Sequence, residues 1–108
     1  MIKVIINYQD EQIISFSAEG HAGLGAKGND ICCAGVSSVC QTALLGLLEF
    51  LEPKPVYKIT SGYLKCELPQ QLKAEETTKA QLILNTMKLG LLAMQNEYGD
   101  HVSIILRR

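Results

Sequence analysis

The chain has 108 residues, of which 47% are hydrophobic and 19% charged, and its net charge is −1. That length and apolar content suit one domain over residues 1–108, with a core that needs no disulfide or metal support. The near-neutral balance gives no electrostatic case for a nucleic-acid or membrane-surface partner. Taken in chain order, Ile2–Tyr8 is rich in Val and Ile and predicts a strand, followed by a polar turn at Gln9-Asp10-Glu11. Gln12–Glu19 predicts a second strand with Ile14, Phe16 and Ala18 on one face, and the two read as a hairpin. A long helix follows. Asp30 is placed to cap it, because its carboxylate can accept from the first-turn N–H groups. Val36, Val39, Cys40, Ala43, Leu44, Leu47, Leu48 and Leu51 recur at helical spacing, and Pro53 and Pro55 end the run. Pro55–Ser61 and Tyr63–Pro69 predict two short strands turning at Ser61-Gly62. Lys73–Tyr98 predicts a second helix with Glu75 and Glu76 in its first turns. Its stripe is Ile83, Met87, Leu91, Met94 and Tyr98, and Gly99 is placed to stop it. His101–Leu106 predicts a last strand. The order ββαββαβ predicts an α/β two-layer sandwich, a small mixed sheet with two helices on one face.

The first residues carry polar side chains and no small-residue cleavage site, so no signal peptide is expected. The most apolar stretch, Val36–Leu51, is interrupted by Ser37, Ser38, Gln41, Thr42 and Glu49, so no membrane span is expected either. A cytoplasmic protein with reduced thiols follows from that reading. Cys32 and Cys33 are adjacent, with Cys40 and Cys66 further on; this is not a zinc-site spacing, and no metal is expected.

The chemistry concentrates between Gly20 and Val39. Gly23–Gly28 spells GLGAKG, a literal GxGxxG. In a dinucleotide site the helix opens inside that motif, whereas here it is expected to begin after the last glycine. No acidic residue follows at the required distance, and the chain is short for such a domain. Nucleotide binding is therefore not the reading, and no cofactor is expected. The segment is either an ordinary surface connector or a lid, with Gly23, Gly25 and Gly28 supplying backbone freedom.

With Asp30 as the cap, Cys33 falls third in the helix, where first-turn N–H groups and the helix dipole stabilise a thiolate. His21 ends the preceding strand, and a Cys–His pair is the minimum for thiol nucleophilic catalysis. The same N–H groups could bind the oxyanion of a tetrahedral intermediate. Cys33 also shares a helical stripe with Cys40 and Leu44, and so reads equally as an ordinary buried cysteine. His21 could equally be a plain strand end. Cys32 points roughly 100° away from Cys33. Ser37 lies one turn beyond Cys33 and could bond near the site or to its own helix. His101 receives no role.

Gly20-His21-Ala22-Gly23, a glycine-containing loop, and then Asp30-Ile31-Cys32-Cys33-Ala34-Gly35-Val36-Ser37 closely resemble the bacterial ribosomal-processing cysteine protease family. The resemblance extends over the whole chain in length and element order. It implies a cysteine endopeptidase that removes an N-terminal extension from the large-subunit ribosomal protein numbered twenty-seven. It assigns the nucleophile to Cys33 and the histidine to His21; by their positions Asp30, as cap or as a residue that orients His21, and Ser37 are the supporting residues. It also implies a homodimer and a glycine loop that acts as a mobile cover. Cys32 stands where the family usually has an aliphatic residue, and Gly35 where it more often has alanine. The competing classes are a ribosome-associated binding module without chemistry and a redox-sensing thiol protein using Cys32 or Cys33.

Overall fold

The computed structural model describes residues 1–20 and 27–108, with residues 27–30 described by their backbone alone. Strands β1 (Ile2–Gln9) and β2 (Gln12–Glu19) precede helix α1 (Lys27–Phe50). Strands β3 (Val56–Thr60) and β4 (Tyr63–Glu67) follow, then helix α2 (Ala74–Glu97) and strand β5 (Val102–Arg107). The sheet order is β3-β4-β2-β1-β5. The β1–β5 pair is parallel and the other pairs are antiparallel, so the sheet is mixed, as the element order predicts.

Both hairpins turn where the sequence places turns. Asp10 and Glu11 take φ of 50° and 69°, the left-handed pair of a two-residue turn that matches strand twist. Gly62, φ 74°, closes the β3–β4 turn without the strain a Cβ would add. One detail of β2 differs from expectation. The β1–β2 register slips between Asn7 and Tyr8, and Ile14 is the residue passed over. This bulge turns Ile13 into the core, at 0% exposure, and leaves Ile14 at 37%. Gln81 of α2 holds it: its Nε2 donates to Ile13 O at 2.8 Å, and its Oε1 accepts from Ile13 N at 2.9 Å.

The core lies between the helices and one sheet face. Ile2, Val4 and Ile6 of β1, Phe16 of β2, and Leu64 and Cys66 of β4 are buried there. Helix α1 meets them with Cys32, Val36, Cys40, Ala43, Leu44 and Leu47, and Leu51 just beyond its end is buried with them. On α2 the buried stripe is Ala80, Leu84, Met87 and Leu91; it shares Met87 and Leu91 with the predicted one, Ile83 and Met94 pack partly buried beside it, and Tyr98 is exposed. Gly99 follows the Tyr98 cap and is not among the left-handed glycines, so it does not stop α2 as expected. A Cβ at Gly35 would stand 2.6 Å from Met94 Cε of α2, the far end of a flexible side chain that can move aside. By length and composition Ile31–Phe50 does suit a bilayer, with mean hydropathy 1.8, despite its polar interruptions. In this fold its apolar stripe is packed on the sheet.

The outer sheet face carries Lys3, Asn7, Ser15, Ser17, Lys65 and Glu67. It also carries Ile5 and Ile105 side by side, both half-buried, and Val56 at its β3 edge, 71% exposed.

One acid sits in the helix layer. Glu76 is buried; its Oε2 pairs with Lys79 Nζ at 2.6 Å and its Oε1 accepts from Glu52 N at 2.8 Å. These bonds, the Lys79 one first, hold its carboxyl below the ordinary carboxylate value. A group lowered in this way contributes stability above its unfolded pKa, and that contribution is lost as pH falls through the folded value. Glu76→Gln is therefore expected to flatten the acid limb of thermal stability measured between pH 3 and 6. An unchanged acid limb would remove Glu76 as its source.

Candidate active site

Helix α1 begins at Lys27, one turn earlier than the sequence suggests. This corrects three expectations. Asp30 is inside the helix and is not its N-cap. Gly28 is a helical residue and not part of a loop. Cys33 is the seventh residue of α1 instead of the third, a full turn beyond the first-turn N–H groups whose effect falls off quickly. His21, Gly23 and Gly25 lie outside the described residues, as does the rest of the expected loop.

What the helix does to the cysteines is clear from its phase. Cys32 points into the core at 3% exposure, while Cys33 is half-buried. Cys33 lines a cavity of about 220 Å³. Val36, Ser37, Cys40 and Gln41 continue that wall along α1, at the positions that one helical face presents after Cys33. The opposite wall comes from the end of β2, at Ala18, Glu19 and Gly20, and from the β3–β4 hairpin, at Ile59, Gly62 and Tyr63. Gly20 takes φ 96°, and its N donates to Gly62 O at 3.0 Å, so the strand that leads into His21 is tied to the hairpin tip. Ser37 Oγ accepts from Gln41 Nε2 at 2.7 Å, which places this supporting residue in a hydrogen bond along the cavity rim.

Ile59, Gly62, Tyr63 and Gln41 were not legible as site residues. The hairpin is distant in sequence, and only the β2–β4 register brings it beside Gly20. Gln41 carried a signal that could have been used, since it lies eight residues after Cys33 on the same helical face.

Two of the other thiols, Cys40 and Cys66, are poor nucleophiles. Burial pushes Cys40 and Cys66 up to about 12, with the Glu67 charge adding to the shift at Cys66. Both therefore stay protonated at neutral pH. In the native state, brief treatment with iodoacetamide at neutral pH is expected to alkylate Cys33 and to spare Cys32, Cys40 and Cys66. Peptide mapping by mass spectrometry checks this, and preferential labelling of Cys32 would contradict the helix phase.

An α/β sandwich with one accessible cysteine at the rim of a half-apolar cavity has the makings of a cysteine peptidase. The comparisons with known proteins agree. The family model for cysteine protease Prp matches residues 1–103. The ribosomal processing cysteine protease Prp of Bacillus subtilis is 32% identical over 97 residues, covering 88% of this chain and 87% of that one. That of Staphylococcus aureus is 29% identical over 109 residues, with 96% and 97% coverage. A crystal structure of the S. aureus protease with a covalently linked product peptide matches at a TM-score of 0.83 and 27% identity, covering 99% and 100% of the two chains. A second holds a substrate peptide, at the same TM-score. The chain belongs to the cysteine protease Prp family, and it is a cysteine protease of that α/β fold.

Proposed function

We propose that this protease removes an N-terminal extension from the large-subunit ribosomal protein numbered twenty-seven, using Cys33 as nucleophile and His21 as its proton-transfer partner. The observation that carries the reading is the placement of Cys33. Of the two cysteines that line the cavity, Cys40 is buried and Cys33 half-exposed, and the facing wall includes Gly20, the residue that precedes His21 in the chain. The ribosomal processing function of the relatives supports the substrate.

In this mechanism the Cys33 thiolate attacks the carbonyl of the residue before the cut. The C–N bond breaks, His21 protonates the leaving amine, and the extension remains as a thioester on Cys33. Water then adds to the thioester, with His21 taking its proton, and the thiolate departs. Asp30 is read as orienting His21, now that the capping role has gone. Ser37, held by Gln41, offers its hydroxyl to the peptide. Gly23 and Gly25 are read as part of a cover that closes over the peptide.

The protein works as a homodimer in the cytoplasm in this reading. The exposed apolar residues open to a partner include Leu45, Leu82 and Leu89 on the helices, at 65%, 67% and 66% exposure. Sedimentation at micromolar concentration is expected to give a dimer; a monomer alone would refute it.

The substrate assignment is tested by incubating the purified protein with the ribosomal protein carrying its extension and sequencing the product's N-terminus. One cut at the extension boundary is expected. Tight binding without a cut would favour a non-catalytic ribosome-associated role for this chain.

A further inference from the structure

We propose that the helix-side face of β3, carrying Tyr57 and Ile59, seats an apolar, extended segment of the peptide substrate outside the residues at the cut; this rests on the protease reading of the Cys33 cavity. The register fixes which way these side chains project. Tyr57 stands opposite Cys66, and Ile59 opposite Leu64. Directly opposed residues of antiparallel strands project to the same face. Cys66 and Leu64 face the helix layer and are 1% and 6% exposed. Tyr57 and Ile59 continue those two core rows, yet they are 49% and 48% exposed. The cause lies in the layer above. The helices rest mainly on β2, on β5 and on each other, and every residue of β3 is exposed. A strip of core-type surface therefore emerges into solvent at the sheet's edge.

What covers the strip follows from its neighbour. Ile59 also lines the Cys33 cavity, so strip and cavity are one continuous surface. Side chains two residues apart on a strand are spaced by about 7 Å. That is also the repeat of alternate side chains on an extended peptide, the form a strand edge accepts. Neither row carries a charge where it emerges, so the segment that fits is apolar at alternate positions. A second copy seated on Ile59 would obstruct the cavity that Ile59 lines, which favours the substrate as occupant.

The test compares cleavage of two peptides by the full chain: one with about ten residues on each side of the cut and one with about three. The parent is expected to prefer the long peptide in kcat/KM. Tyr57→Ser, an exposed site outside the Cys33 cavity, is expected to lower that preference about tenfold, the scale of losing one well-packed aromatic contact, mainly through KM. Tyr57→Phe is expected to restore it. A parent-like preference in Tyr57→Ser would overturn the proposal and leave the protease reading standing. Failure of the parent to cut either peptide would overturn both. Loss of self-association in Tyr57→Ser with an unaltered preference would assign the strip to a second copy and overturn it as well.

Discussion

Cys33→Ala is expected to abolish peptide cleavage without disturbing the fold, and Cys32→Ala is expected to keep most of the cleavage at a small cost in stability. The two thiols are neighbours in sequence, but the helix sends them to different places. Cys33 lines the cavity, while Cys32 is 3% exposed in the core. Removing the Cys33 sulfur removes the atom that forms the thioester, so no residual covalent route remains. Removing the Cys32 sulfur costs packing on the order of 1 kcal/mol, the scale of one buried methylene-sized group. It should leave most turnover. His21→Ala belongs to the same experiment and is expected to cost ~10²–10⁴-fold in rate, the range for a lost general acid–base. Steady-state rates and thermal melts on the three variants check all of this. Full activity in Cys33→Ala, or a dead but stable Cys32→Ala, would reassign the nucleophile.

Gly20→Ala is the second change expected to have a large effect. Gly20 takes φ 96°, a conformation that L side chains rarely adopt. A Cβ there would stand 2.6 Å from the Met1 carbonyl oxygen, which is backbone at the entry to β1 and has little freedom to yield. The strand end must then shift, and its bond to Gly62 with it. Gly20 lines the cavity and is joined directly to His21. A displacement of about 1 Å in a reacting group can cost on the order of 10²-fold. The expected result is therefore a fall in kcat/KM of about 100-fold together with a lower Tm. Parent-like kinetics would show that the position of Gly20 is not coupled to the histidine.

The sequence carried the architecture well, because the features that decide it are local. The hydrophobic period of α1 and the polar turn at Asp10-Glu11 are each written within a few residues, and so is the glycine at the β3–β4 turn. The bulge at Ile14 was hidden, since Ile13 and Ile14 are chemically alike and only the Gln81 clamp from α2 selects which turns inward. The start of α1 was misplaced for a related reason. Asp30 is a good capping residue by type, but the helix continues back through Asn29 and Gly28 to Lys27. Within the site, the cysteine wall was legible because α1 itself sets its phase. The facing wall was not, because Ile59 and Tyr63 reach it only through a strand pairing more than forty residues apart in sequence.

The covalent intermediate offers the most direct test of the central claim. The purified protein is mixed with extended ribosomal substrate, quenched in acid within the first turnover, digested and mapped by mass spectrometry. The account predicts an adduct on the peptide containing Cys33, heavier by the N-terminal extension less one water, and placed on Cys33 by fragmentation. The adduct should be absent from Cys33→Ala. An adduct on Cys32, or cleavage that continues in Cys33→Ala, would contradict it.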